Sequence, residues 1–529
     1  MGEKQYVHTV QDLFKRGSIY LSTRDGEKVS AATVQLGYLL AIDPTQISDI
    51  EDTYIKLNDV IPINHDVFVE RASKKDKTYQ EIERKVSAEN ADKLKEKNIP
   101  GIKLYKNQWR YYPGNSLSAR TIGFVGYDNT SLIGQYGLER YYNDVLARSD
   151  EKLLVNFFAE IFSNVGGLLF DATKDRQGDI VTTIEPTVAR SLDQVLESIQ
   201  KEWNSELTGG IIIDPVTGEI IALNVVPSFD LNNRSAVSID AFRNPLVENV
   251  YELGSIIKPL TVASGLDAGV ITAESTYYDA GFITLSDYTI KNYDGRGRGT
   301  VSMQEVLNQS LNTGVAHIAE LLGKERFRKY FYNLKLGTET GIDLPNEAYG
   351  LVKNLESPRE VEYATASFGQ GIALTPIGAV RALSALSNGG MLITPHLTRS
   401  ILYTNGIEHV VGFGKPDQVF TKKTSEDITR MLVQVVDVAL RDGKLKKEHY
   451  SIAAKTGTAQ IPDTVNRGYY DDRFLHSFFG YFPAYEPRFL IFLYTVEPKG
   501  VKYASETLTQ PFMDLVDFLI NYYSIPPDR

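Results

Sequence analysis

The sequence contains no cysteine. That excludes thiol catalysis, a disulfide framework and any cysteine-ligated metal site. It also lacks the run of about 20 apolar residues that a membrane span needs. The first residues, Met1-Gly2-Glu3-Lys4-Gln5-Tyr6, open directly into polar sequence with no signal peptide visible. If the protein works outside the cytoplasm, its anchoring segment is expected to lie outside this sequence. Positive charge is not in excess: the formal net charge is -11, which argues against a general nucleic-acid binder, since such a protein carries a basic face to neutralise phosphates. The seven histidines form neither a His-Glu-x-x-His pattern nor a close cluster, so no metal and no other cofactor is expected. The glycines of Asp294-Gly295-Arg296-Gly297-Arg298-Gly299 are not followed by Gly-Lys-Ser/Thr, so a flexible loop is read there rather than a phosphate cradle.

What is present is a folded protein. Hydrophobic content of 42% with 23% charged residues is that of a globular chain, and 529 residues are enough for roughly two to four domains. Up to about residue 175 the chain is rich in Lys, Glu, Asp, Asn and Tyr with short apolar runs, which predicts an irregular α+β domain over 1–175. Within it, the highly charged stretch Thr78 to Asn98 reads as a solvated helix. Near Asp179 to Ile184 the character changes to a short strand, then Pro186 opens a helix with Leu192, Val195, Leu196 and Ile199 at helical spacing. A second domain is therefore placed at 176–529. It opens with a β-hairpin, Gly210 to Ile213 and Glu219 to Leu223, around the turn residues Asp214-Pro215-Val216-Thr217-Gly218. Helices dominate to about residue 445, among them Ser425 to Leu440. Strands return at Tyr450 to Ala454, Ser477 to Phe482 and Arg488 to Val496, and an apolar helix follows from about Leu508 to Tyr522. The expected fold class is α+β, a sheet whose edges come from distant sequence packed against helices.

Three short segments could carry chemistry. In Gly254-Ser255-Ile256-Ile257-Lys258-Pro259, proline is tolerated only in a first helical turn, so a helix should begin near Ser255. Lys258, three residues on, shares a face with Ser255 and can accept the hydroxyl proton that a serine nucleophile must lose. The positive helix end disfavours a protonated lysine and stabilises a nascent oxyanion. Alone, Ser-x-x-Lys should occur by chance about once or twice in a chain of this length, and a solvated helix start explains it equally well. Ser310-Leu311-Asn312 follows a helix with a capping box at Ser302 and Glu305 and suits a connection to the next helix; singly, a structural loop is the simpler reading. In Lys455-Thr456-Gly457-Thr458, a glycine flanked by hydroxyls on a strand admits a substrate backbone, leaves donors for a carboxylate and adds the Lys455 charge.

In this order the three motifs match the signature of penicillin-binding proteins and class A β-lactamases, and jointly they are specific. The surrounding chain resembles class B penicillin-binding proteins over most of its length. The resemblance lies in Phe242-Arg243-Asn244-Pro245 through Tyr251-Glu252-Leu253-Gly254, where proline is commoner than Leu253, in Ser367-Phe368-Gly369-Gln370-Gly371 with Leu374-Thr375-Pro376, and in Phe478 to Ala484. Arg16-Gly17-Ser18-Ile19-Tyr20 with Arg24-Asp25-Gly26, and Tyr136-Gly137-Leu138-Glu139 with Tyr141, resemble the class B pedestal, which β-lactamases lack.

The resemblance implies a pedestal or dimerisation-type domain ahead of a β-lactamase-like transpeptidase domain with an antiparallel sheet between helices. It implies a D,D-transpeptidase that cross-links peptidoglycan stem peptides through a serine acyl-enzyme and is acylated by β-lactams. Ser255 would be the nucleophile, Lys258 its base and Ser310 a proton relay. Asn312 would hold the donor peptide, Lys455, Thr456 and Thr458 its carboxylate beside Gly457, and the N–H groups of Ser255 and Thr458 the oxyanion. Lys258 must then be largely neutral, through burial and the Lys455 charge. Also implied are an extracytoplasmic site on a bacterial membrane, an N-terminal single-span anchor absent from this sequence, and partners among membrane glycosyltransferases and other division or elongation proteins. The Ser-Leu-Asn-Thr-Gly context leans towards the septal type. The alternatives are a D,D-carboxypeptidase or β-lactamase, a non-catalytic scaffold of the division or elongation machinery, and a β-lactam-sensing receptor. No acidic motif supports a class A glycosyltransferase domain.

Overall fold

The computed structural model of the chain describes residues 16–128, 131–148, 177–285, 288–463, 465–466 and 468–529. Its centre is a five-stranded antiparallel sheet built from both ends of the second region. The spatial order is Ala453–Pro462, Tyr469–Phe482, Phe489–Val496, Leu207–Ile213, Ile220–Val226. Isoleucine, phenylalanine and leucine alternate sides along the inner strands, and both faces are covered, so Ile211, Ile212, Phe478, Phe479 and Phe492 are all fully buried. Even-numbered residues of Tyr469–Phe482 face the C-terminal helix Thr509–Tyr523: the Phe478 and Phe512 rings lie 4.5 Å apart. Odd-numbered ones face the opposite side, where the Tyr481 hydroxyl meets that of Thr429, 2.9 Å away, on helix Lys422–Gln434. The predicted hairpin, the Pro186–Trp203 helix and the late strands are all present, with the two strands of the late hairpin longer than expected.

A second, seven-stranded sheet holds most of the first region. Strand Lys28–Ile42 is its hub, pairing with Ile19–Ser22, Gln80–Val86 and Ile102–Tyr111. Three strands from later sequence join it, the outermost being Glu408–Val410 beside Thr398–Tyr403. Gly178–Thr182 pairs in parallel with Ile19–Ser22, and Thr398–Tyr403 pairs antiparallel with Gly178–Thr182. The two regions are thus stitched together by backbone hydrogen bonds.

The charged stretch Thr78 to Asn98 corrects the helical expectation. Its first half is the strand Gln80–Val86, and only Ala88–Glu96 is helical, capped by Ser87. Strand Lys28–Ile42 offers an open edge that Glu81, Glu83 and Val86 pair with, and a tertiary partner of this kind overrides the weak helix preference of a polar segment.

Candidate active site

Ser255 lies on a 3-10 turn, Gly254–Ile257, that runs into helix Lys258–Asp267. Pro259 falls in the first helical turn, as its missing N–H requires, and Gly254 takes a left-handed φ of 64° to turn the chain into it. This turn is pressed against the edge strand Ala453–Pro462. A Cβ on Gly457 would lie 2.6 Å from the Leu253 carbonyl oxygen and 2.3 Å from Ser477 Oγ, so only glycine allows the approach. Ser477 donates to the Leu253 carbonyl at 2.7 Å and fastens the nucleophile turn to the sheet.

The lysines meet on a serine. Lys258 is fully buried, and its Nζ donates to the Ser310 carbonyl at 2.5 Å and lies 3.1 Å from Ser310 Oγ. Lys455 Nζ reaches the same Oγ from the strand at 3.0 Å and also donates to the Thr456 carbonyl. Ser310 is held in place by a left-handed backbone, φ 54°, at the sharp link between helix Met303–Asn308 and helix Asn312–Asn333. No carboxylate lies within hydrogen-bonding reach of either amine among the described residues. Burial, and then the charge of Lys455, push Lys258 well below the usual lysine range, while burial lowers Lys455 to about 7. Two ammonium groups sharing one hydroxyl repel, so the pair as a whole sheds a proton early. The direction of this shift is the one that a base at Lys258 calls for.

The capping box is half realised. Ser302 Oγ accepts from Glu305 N, but the Glu305 carboxylate takes the Asn308 and Gln309 amides instead of reaching back. Asn312 starts its helix, with its amide donating to the Lys291 carbonyl at 2.9 Å. Strand alternation separates the Lys-Thr-Gly-Thr residues: Lys455 and Gly457 face the nucleophile turn, whereas Thr456 and Thr458 lie on the other face. There Thr458 Oγ1 accepts from Ala504 N at 3.0 Å, so its own proton remains for a substrate. The Thr458 carbonyl oxygen points across the open edge at Gly254, 2.8 Å from where a Cβ would sit. In a strand a residue's N–H and C=O point the same way, so the Thr458 N–H faces the nucleophile too.

Sequence reasoning passed over several residues. Besides Ser477, the half-buried Glu252 carboxylate accepts from Tyr469 OH at 3.1 and 3.0 Å and from Gly371 N at 3.1 Å, tying the hairpin rim and the Gly369-Gln370-Gly371 loop to the nucleophile segment. Burial raises its pKa against those bonds. Asp279 and Asn292 brace the start of the Asn312 helix from a lobe at 276–302. Glu252 stands in the Tyr251-Glu252-Leu253-Gly254 lead-in and the other three in no short motif, but only the fold shows what any of the four does at the site.

A serine at a helix start, a buried lysine with a depressed pKa, a second serine bridging two lysines and an open strand edge are the arrangement expected of a serine acyltransferase of the penicillin-recognising class. Comparison with known proteins agrees. The penicillin binding protein transpeptidase domain matches residues 208–516 and the penicillin-binding protein dimerisation domain residues 13–156. The chain belongs to this family, with the class B arrangement of the two domains. It is 29% identical to stage V sporulation protein D of Bacillus subtilis over 528 residues, covering 97% of this chain and 80% of that protein. It is 27% identical to peptidoglycan D,D-transpeptidase FtsI of Escherichia coli, covering 84% of this chain and 73% of that protein. Among solved structures, penicillin binding protein 2X of Streptococcus thermophilus superposes with a TM-score of 0.75 at 21% identity, over 97% of this chain and 80% of that one. Penicillin binding protein 3 of Mycobacterium tuberculosis, complexed with aztreonam, gives 0.73 at 20% identity, over 98% of each chain.

Proposed function

We infer that the protein is a peptidoglycan D,D-transpeptidase working through a serine acyl-enzyme on Ser255. The observation that carries the residue roles is the Ser310 hydroxyl lying within 3.1 Å of Lys258 Nζ and 3.0 Å of Lys455 Nζ beside the nucleophile turn. Neutral Lys258 takes the Ser255 proton as Oγ bonds to the penultimate D-Ala carbonyl of a stem peptide. The tetrahedral oxyanion is held by the N–H groups of Ser255 and Thr458, and the proton passes through Ser310 to the leaving D-Ala amine as the C–N bond breaks. An acceptor amine then attacks the ester, forms the cross-link and returns the proton to Ser255. Asn312 holds the donor backbone, and the terminal carboxylate sits beside Lys455, Thr456 and Thr458, with Gly457 giving it room. A β-lactam follows the first half-reaction, but its amine stays tethered, so the acyl-enzyme persists.

The finer assignments are proposals of the same reading. Residues 1–175 form the pedestal and 176–529 the transpeptidase. The protein acts on the extracytoplasmic face of a bacterial membrane beside a membrane glycosyltransferase and other division or elongation proteins. The Ser-Leu-Asn-Thr-Gly context supports a septal role. No helix among the described residues is long and apolar enough to cross a membrane.

The test is intact-protein mass spectrometry of the parent and Ser255→Ala after incubation with a fluorescent penicillin, followed over several hours. A lasting adduct on the parent alone is expected. Rapid gain and loss of the adduct would mean a β-lactamase, and no adduct a non-catalytic scaffold.

A further inference from the structure

Helix Asn312–Asn333 begins with no cap of its own: Leu311 stands at the capping position and offers no side-chain hydrogen bond. The first N–H groups of a helix need acceptors, and here one comes from 20 residues upstream. Asn292 Oδ1 accepts from Asn312 N at 3.0 Å and from Thr313 N at 3.3 Å. The residue before it, Lys291, supplies the carbonyl that takes the Asn312 side-chain amide.

Asn292 cannot flip. Its Nδ2 donates to both oxygens of Asp279, at 3.0 and 2.9 Å. Every other partner of that carboxyl is a donor as well: Gly281 N, Arg298 N and Thr313 Oγ1. Asp279 and Asn292 are 1% and 3% exposed, so no water competes for either amide end. A carboxylate accepts only, which forces Nδ2 towards Asp279 and Oδ1 towards the helix. The catalytic mechanism gives Asp279 nothing to do, yet two of its partners, Asn292 and Thr313, tie it to the start of the Asn312 helix.

We propose that Asn292 is a positioning residue for acyl transfer: by capping the Asn312 helix from outside, with Asp279 fixing its orientation, it sets the direction in which Asn312 meets the acyl donor. The inference rests on the reading that Asn312 contacts the donor backbone. It names a consequence that general destabilisation does not share, because only donors with an amide for Asn312 feel the change.

The experiment compares acylation rate constants for benzylpenicillin, which carries a side-chain amide, and 6-aminopenicillanic acid, which has the same ring and carboxylate without it. For Asn292→Ala we expect the benzylpenicillin constant to fall by about tenfold or more and that for 6-aminopenicillanic acid to change by less than about threefold. Parallel loss for both probes, or no loss for either, overturns the proposal. Because that variant also removes packing, Asn292→Leu, which keeps most of the side chain's bulk but offers the helix no acceptor, is measured beside it. The same selective loss for benzylpenicillin supports the proposal, and a parental ratio between the two probes in Asn292→Leu overturns it. A parent that neither probe acylates overturns the reading of the site itself and this inference with it.

Discussion

Two clusters of buried charge in this molecule are built to opposite ends. In the pedestal, Glu139 is fully buried between two arginines: Arg16 Nε and Arg110 Nε each donate to it at 2.6 Å. Arg16 also donates to the Glu139 carbonyl, and Arg110 to the Gly17 carbonyl. In the catalytic domain Lys258 and Lys455 are equally buried, but they face each other across Ser310 with no carboxylate between them. A buried charge costs a great deal unless it is paired. The pedestal meets that requirement and gains a rigid joint. The lysine pair leaves it unmet, and burial shifts both amines towards the neutral form, the form that the proposed base at Lys258 needs.

Removing the amine that the comparison makes reactive should have the largest effect. Lys258→Met is expected to slow acylation by roughly 10²–10⁴-fold, measured by the growth of the penicillin adduct, because a general base contributes on that order. The same substitution should leave the melting temperature unchanged or raise it, since an apolar side chain of similar length no longer pays for burying an amine. The parent's pH dependence sharpens the point. A depressed Lys258 is neutral well below pH 10.5, so acylation should level off rather than still climb above about pH 9. Between the folded and unfolded pKa values the unfolded chain binds the extra protons. Stability should therefore rise with pH, for Lys455 from about 7 towards 10.5, and Lys258→Met should flatten that slope.

Breaking the satisfied cluster should do the reverse. Glu139→Gln strands two buried guanidinium groups and is expected to lose about 3–5 kcal/mol of stability by denaturant unfolding, while the protein that remains folded is acylated at the parental rate. The smallest effect is expected at the rim. Tyr469→Phe removes the donor to Glu252 and should cost about 1 kcal/mol, read as a few-fold fall in the acylation rate constant with the melting temperature almost unchanged.

The chemistry was legible in the sequence to an unusual degree because each motif is local. Ser255 and Lys258 are three residues apart, Ser310 and Asn312 two, and Lys455 to Thr458 contiguous, so residue type and spacing are enough to mark them as candidates. The longer periodic elements were legible for the same reason: the Pro186–Trp203 helix repeats its apolar residues at helical spacing, and the Leu207–Ile213 strand ends in the β-branched run Ile211-Ile212-Ile213. Gln80–Val86 was not, since its strand state depends on an edge offered by Lys28–Ile42, about 40 residues earlier. The late strands Gly178–Thr182 and Thr398–Tyr403 likewise give no sign in their own residues that they complete the pedestal's sheet.

By itself, then, the sequence determined the order of the three motifs, the family, and which side chains could do the chemistry, because these depend on residue identity and short spacing. The tertiary structure alone decided that Lys455, 197 residues from Lys258, shares its serine. It also decided that Ser477 and Glu252 fasten the nucleophile segment and that Asn292 caps the Asn312 helix. Depressed lysines, a strand edge open to the oxyanion and a helix capped from a distance all arise from long-range packing, where burial and the loss of water set the strength of every charge and hydrogen bond.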